Sequence, residues 1–329
     1  MESHFQFLDQ ESIQNHLAKR SGEQKLGEVI SIGELEAVES PQFVLLGIQE
    51  SIGVKGNLGI AGTHTAWEAF LAKFINIQAN HFLPLEKLHL LGSFNFDALF
   101  NSCNTLEDYR KASEQVDNEV YPLIAKLIEK GHIPIIIGGS HANAYPLIKG
   151  TSIALNQAIK AVNLDAHADF RALEGRHSGN PFSYAFHEGY LKFYQMIGLH
   201  ENYNNQSMLD EMQKQSNVHF YTFEDIFLRR KLTYEQALEK SFFSVDNLPC
   251  GIELDLDCIQ NTLSSAMGPS GFSVTHSRQF AYQAGLVTNA KYLHLCEGTF
   301  QLENGQQDAT IGKLLSYLAT DFIKGVSDS

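Results

Sequence analysis

The chain has 329 residues, 43% hydrophobic and 19% charged, with a formal net charge of −14. That composition suits an ordinary folded protein with a sizeable core and excludes a disordered chain. The negative field repels phosphate backbones, and no basic cluster interleaved with aromatics offsets it, so no nucleic-acid partner is expected.

Residues 1–40 are polar and mixed, and read as an N-terminal appendage to a single domain over 41–329. Met1-Glu2-Ser3-His4-Phe5-Gln6 lacks the basic and apolar regions of a signal peptide. No apolar run reaches the ~20 residues needed to cross a bilayer, so no membrane partner is expected. The four cysteines, Cys103, Cys250, Cys258 and Cys296, have no paired spacing. They read as buried thiols of a cytoplasmic protein.

From residue 43 onward, apolar runs alternate with helical or loop segments. Phe-Val-Leu-Leu-Gly-Ile at 43–48 predicts a strand buried on both faces. A loop with Gly53, Gly56, Asn57, Gly59 and Gly62 follows, then a helix over about 64–77. A strand at 88–92 precedes a helix over 106–130, which stops at Gly131. Further strands are expected at 133–137, 161–165, 192–198, 218–222, 250–256 and 291–296, and a last helix over about 308–324. This alternation predicts an α/β fold, with a mostly parallel sheet covered on both faces by helices.

Three segments carry chemistry. In Asn163-Leu164-Asp165-Ala166-His167-Ala168-Asp169, strand alternation would aim Asp165, His167 and Asp169 at one place. Two carboxylates and an imidazole converging there would repel and desolvate without a cation. In Gly251-Ile252-Glu253-Leu254-Asp255-Leu256-Asp257, acids again alternate with apolar residues, which taken alone also describes a wet edge strand. Ile135-Ile136-Ile137-Gly138-Gly139-Ser140-His141 ends an apolar strand in two glycines and delivers a histidine, or is an ordinary βα turn. Together the segments offer two histidines and four aspartates, hard ligands suited to Mn²⁺ or another first-row divalent ion. Six ligands exceed the three of a catalytic zinc and suit two ions.

The order and spacing of His141 in Gly-Gly-Ser-His, the Asp165-Ala-His167-Ala-Asp169 block and the Asp255-Leu-Asp257 pair resemble the ureohydrolase superfamily of arginases, agmatinases and formimidoylglutamases. The resemblance runs from about residue 43 to the C-terminus, and includes the loop at 53–59 and the strand leading to Glu297. It implies a three-layer α/β/α, arginase-like fold with two Mn²⁺ at the carboxyl edge of the sheet. It implies that His141, Asp165, Asp169 and Asp255 hold one ion, that Asp165, His167, Asp255 and Asp257 hold the other, and that a hydroxide bridging them attacks an amidine or guanidine carbon. Asp169 then orients the nucleophile and carries a proton, Glu297 pairs with the substrate amidinium, and His177 acts as a general acid.

Arg171, in Asp169-Phe170-Arg171, resembles the formimidoylglutamase pattern and would grip a substrate carboxylate. Ser178 and Asn180 in Ser-Gly-Asn-Pro-Phe resemble the loop of formimidoylglutamases and agmatinases and are expected to touch substrate. The expected reaction is N-formimidoyl-L-glutamate to L-glutamate and formamide. The alternatives are a guanidine hydrolase releasing urea, a catalytically silent metal-binding relative, and a mononuclear zinc deacetylase. The pattern departs from the family at Ser140, where an Asp is usual, and at Gln260, where a supporting Asp is usual. Relatives assemble as trimers or hexamers, so the resemblance also implies a homo-oligomer.

Overall fold

A computed structural model describes residues 4–34, 42–245 and 248–329. The boundary expected near residue 40 lies outside the described residues. Among the described residues, ten strands form one sheet: β1 (Phe5–Phe7), β2 (Ser31–Ile32), β3 (Phe43–Gln49), β4 (Leu88–Asn95), β5 (Ile133–Ile137), β6 (Ile159–Leu164), β7 (Leu191–Leu199), β8 (Val218–Thr222), β9 (Cys250–Asp255) and β10 (Ala290–Cys296). Their order is β1-β4-β3-β5-β10-β9-β6-β7-β8, with β2 also beside β4. Every pairing is parallel except β1 with β4.

Strand alternation divides the core in two. Leu45, Ile135, Ile137, Val162, Leu164, Ile252 and Leu295 face one buried layer. There they meet Trp67, Phe70 and Phe74 of the helix Ala66–Phe74, Phe280 of Val274–Val287, and Leu315 and Phe322 of Ile311–Asp328. Val44, Leu46, Ile136 and Ala161 face the opposite layer, built on Val116, Val120 and Ile124 of the helix Leu106–Glu129 and Leu147 of Ala144–Leu155. Three layers result, as expected for parallel strands joined by helical crossovers.

Local signals explain the boundaries. Leu106–Glu129 starts at Thr105, which accepts from Asp108 N while the Asp108 side chain accepts in return. The C-terminal helix lies so close to its neighbours that a Cβ on Gly312 would sit 1.9 Å from Ala69 O, and one on Gly325 would sit 2.1 Å from Tyr282 O. These glycines set the helix spacing.

The strands expected from 43 onward are all present, with no edge moved by more than three residues. The glycine-bearing loop after β3 begins as a short helix, Ile52–Gly56. Buried Glu50 accepts from Gly53 N at 3.0 Å at its start. All four cysteines are unpaired, and three are buried. Among the described residues, no helix is long and apolar enough to cross a membrane.

Candidate metal centre

The four central strands β5, β10, β9 and β6 are consecutive in the sheet, and each delivers acid or imidazole groups at its carboxyl end. In open parallel sheets, this is the edge where helix crossovers leave a crevice. His141 follows β5 through Gly138 and Gly139, both at positive φ (82° and 71°). Those angles cost glycine little and let the chain turn sharply toward the sheet end. Glu50 takes Ser140 N at 2.5 Å and Asn143 Nδ2 at 2.7 Å, pinning the turn. A carboxylate therefore does stand at Ser140, supplied by the end of β3.

The two aspartate-bearing segments reach the site differently from the strand alternation expected. β6 ends at Leu164, so residues 165–169 form a loop, and Asp169 has φ 46°. β9 ends at Asp255, and Leu256–Cys258 is a turn of 3₁₀ helix. The acids converge because the chain turns back on itself. Asp165 Oδ1 accepts from His167 N at 2.7 Å, and Asp255 Oδ1 accepts from Asp257 N at 2.8 Å. In both places the first aspartate folds the loop that presents the next ligand.

Among the described residues, three groups could hold an ion; His141, His294 and Cys296 form one without a carboxylate, and the other two carry the aspartates. His141, Asp165, Asp169 and Asp255 bring one atom each within 4.8 Å of one another, and Asp165, His167 and Asp257 form a second group sharing Asp165. All six expected ligands are thus gathered, with Asp255 in the first group only. His141 Nδ1 lies 2.7 Å from Asp169 Oδ2, 3.2 Å from Asp165 Oδ2 and 3.3 Å from Asp255 Oδ2. Yet both buried nitrogens of His141, and Oδ1 of Asp257, lack a hydrogen bond. Buried polar atoms that crowd together without hydrogen-bond geometry are costly, and their lone pairs fit a cation between them. A hard oxygen set with two imidazoles matches a pair of Mn²⁺-like ions.

The protonation pattern carries the same strain. Burial lifts Asp255 well above its ordinary range, helped by Asp257 and Asp165. Burial, then the Asp165 charge, lifts Asp169 to about 6. Burial also raises Asp165, but the His141 and His167 imidazoles beside it outweigh burial and hold that carboxyl below its usual range. Burial opposes protonation of both histidines, yet the surrounding charges raise them well above 6.5. The site collects protons where positive charge belongs.

Glu297, just past β10, has φ 60° and accepts from His141 N at 2.8 Å. Burial pushes its carboxyl up to about 8. A cavity of about 320 Å³ opens over the clusters, lined by His167, Asp169, Asp255, Asp257 and Glu297 and, at its rim, by Arg171, Ser178 and Asn57. Arg171 Nη1 donates to Asn57 Oδ1 at 3.0 Å, and Asn57 Nδ2 donates to Ser178 Oγ at 3.3 Å.

Two expected site residues are elsewhere. Asn180 is fully buried. Its Oδ1 accepts from Arg176 and from His177 N, and its Nδ2 donates to Ala172 O and Gly175 O. With every polar atom engaged, it shapes the loop and has nothing left for a substrate. His177 is also buried, its Nε2 3.1 Å from Glu174 Oε1 and its Nδ1 accepting from Gly179 N. Burial lowers it to about 4, so it is neutral and turned into the loop, unsuited to the general-acid role expected of it. Arg176 is likewise buried, bonded to Asp117 and resting on the Tyr145 and Tyr184 rings.

Glu253 went unassigned in the sequence. It is wholly buried, accepts from Tyr292 Oη at 2.6 Å, pairs with His294 Nδ1 at 2.7 Å, and sits 3.6 Å from His141 Nε2. Its alternation with Asp255 and the histidine in Leu293-His294-Leu295 were visible signals. That β9 and β10 are neighbours, which joins them, was not.

A carboxylate-rich double cluster at the carboxyl edge of a parallel three-layer sheet defines a binuclear metallohydrolase type of centre. Residues 52–287 match the model of the Arginase family, and the chain belongs to that family. It is 25% identical over 240 residues to a formimidoylglutamase of Streptococcus pyogenes, a match spanning 68% of this chain and 66% of that protein's length, just under two thirds. Among solved structures, it resembles the formimidoylglutamase of Bacillus subtilis (TM-score 0.74, 18% identity, 94% of both chains covered). It also resembles Trypanosoma cruzi formiminoglutamase with Mn²⁺ (TM-score 0.71, 19% identity, 93% of this chain and 99% of that one).

Proposed function

We propose that the protein hydrolyses N-formimidoyl-L-glutamate to L-glutamate and formamide, with two Mn²⁺ ions held by His141, Asp165, Asp169, Asp255, His167 and Asp257. The observation that carries the substrate choice is Arg171 on the rim of the cavity above the two ligand clusters. A guanidinium there meets a substrate carboxylate while the amidine carbon lies over the clusters.

Held by these residues, two divalent cations would supply Lewis acidity to the site. The remaining work belongs to the chain. Glu297 faces the cavity and pairs with the amidinium. Asp169, beside His141 and open to the cavity, orients the attacking water, takes its proton and returns it to the departing amine. The carbon–nitrogen bond to glutamate breaks, water's oxygen becomes the carbonyl of formamide, and both of water's protons end on the departing amine, which leaves as the ammonium group of glutamate. Arg171 and Ser178 hold the carboxylate end in place.

A formimidoylglutamase of the S. pyogenes type supports this reading over arginine or agmatine hydrolysis, and agmatine offers no carboxylate to Arg171. Unpaired thiols fit a cytoplasmic site of action. The test is product analysis on Mn²⁺-loaded protein with N-formimidoyl-L-glutamate, L-arginine and agmatine supplied separately. Glutamate and formamide from the first are expected. Urea from either of the others would replace the substrate while keeping the metal chemistry.

A further inference from the structure

We propose that Tyr203 and Asn204 are positioning residues that hold His167 toward the second ion, an inference that rests on the binuclear reading above. The loop carrying His167 leaves the sheet after Leu164, so its backbone needs partners from outside the strand ladder. Asn204 supplies them on both sides of His167. Its Oδ1 accepts from Ala168 N at 2.9 Å, and its Nδ2 donates to Ala166 O at 3.1 Å and to His200 O at 2.8 Å. His200 N also donates to Ala166 O, at 2.9 Å. The segment after β7 is thereby laced to the ligand loop at the two residues flanking the imidazole.

Tyr203 fixes the ring itself. It stacks on His167 with centroids 5.4 Å apart and planes 25° apart, and on His200 at 5.3 Å and 8°. His200 in turn stacks on Phe223 at 4.7 Å. The two candidate imidazoles are held in different ways. His141 is buried and packs edge-on against Phe182. His167 keeps 28% of its side chain exposed at the cavity, where solvent alone would not restrain it, and Tyr203 covers it. With the ring so held, Nδ1 lies 3.2 Å from Asp257 Oδ2 and 3.6 Å from Asp165 Oδ1. Groups that orient a ligand commonly change metal affinity by about 10–100-fold. The first cluster contains neither His167 nor any residue stacked on Tyr203.

The consequence is a split between the two ions. In Tyr203→Ala, the affinity for one Mn²⁺ should fall by about 10–100-fold and that for the other should hold. Tyr203→Phe keeps the ring and should behave as wild type. Equilibrium dialysis against Mn²⁺ with metal analysis reads stoichiometry. Electron paramagnetic resonance separates an isolated Mn²⁺ from a spin-coupled pair, and a thermal melt of each metal-free variant reads the fold. Two ions in wild type and Tyr203→Phe, with one isolated ion in a normally folded Tyr203→Ala at low free Mn²⁺, is the expected result. Two ions of unchanged affinity in Tyr203→Ala would overturn the inference. Loss of both together, in Tyr203→Ala and the milder Tyr203→Leu, would also overturn it, since the contact would then serve the whole fold. A wild type that never binds two ions would instead overturn the binuclear reading itself.

Discussion

Arg171 and Asn57 meet across the rim of the cavity, the guanidinium donating to the side-chain carbonyl at 3.0 Å. The contact joins the loop after β3 to the loop after β6, and it orients an otherwise exposed arginine. A charge-assisted contact from such a group to a carboxylate contributes about 1.5–3 kcal/mol. Arg171→Ala should therefore raise KM for a carboxylate-bearing substrate by roughly 10–100-fold, with little change in bound metal. Asn57→Ala should raise KM in the same direction by less, because the guanidinium is loosened and not removed. Steady-state kinetics on both variants, with metal content measured alongside, checks this. An unchanged KM in Arg171→Ala would leave the carboxylate without its partner.

Gly139→Ala tests the turn that delivers His141. Gly139 has φ 71°, and a Cβ there would stand 2.4 Å from Asn143 Nδ2 and 3.0 Å from Glu50 Oε1. Left-handed backbone costs a residue with a side chain about 1–2 kcal/mol, and overpacking adds about 1–3 kcal/mol. Denaturant unfolding should show a loss of roughly 2–5 kcal/mol. Metal uptake should weaken too, since Glu50 also holds Ser140 N.

Glu253→Gln addresses the support behind His141. The amide can still accept from Tyr292 but has lost the charge that faces His294 and His141. Metal affinity should fall by about 10–100-fold, with secondary structure retained. Isothermal titration with Mn²⁺, beside a circular dichroism spectrum, decides it.

His177 predicts a pH dependence of stability. Burial holds the folded imidazole near 4, with Glu174 opposing and Arg110 and Arg171 reinforcing the shift, while an unfolded histidine titrates near 6.5. The unfolded chain therefore takes up a proton that the folded chain refuses, and stability falls as pH drops from about 6.5 to about 4. At 1.36 kcal/mol per pH unit, this one group contributes up to roughly 3 kcal/mol of that loss. In metal-free protein, His177→Gln should flatten the slope across that window. An identical slope would place the acid sensitivity elsewhere.

Much of this was legible in the residues. Continuous apolar runs marked the central strands because both of their faces are covered. The six ligands stood out because acids and imidazoles at such strand ends are costly unless something binds them. Strand alternation is not what aims them, since residues 165–169 form a loop with a left-handed residue at Asp169. Alternation in the letters hid a turn. His177 and Asn180 looked like site residues because they sit beside Ser178, but adjacency in a tight loop sends neighbours in opposite directions. Tyr203, Asn204 and Glu50 were silent because each acts on a segment distant in sequence. β1 and β2 were too short to read as strands, being two or three residues whose partner is the edge of β4.

The ligands come from the ends of β5, β6 and β9, strands that lie far apart along the chain and side by side in the sheet with β10 between. No single crossover owns a binding site, so partly folded chains have nothing for an ion to recognise. Ions that bind only the finished sheet then add their binding free energy to its stability by mass action. Metal supply becomes a ballast for the protein's lifetime: starved of it, the chain should open more often and be cut sooner by proteases.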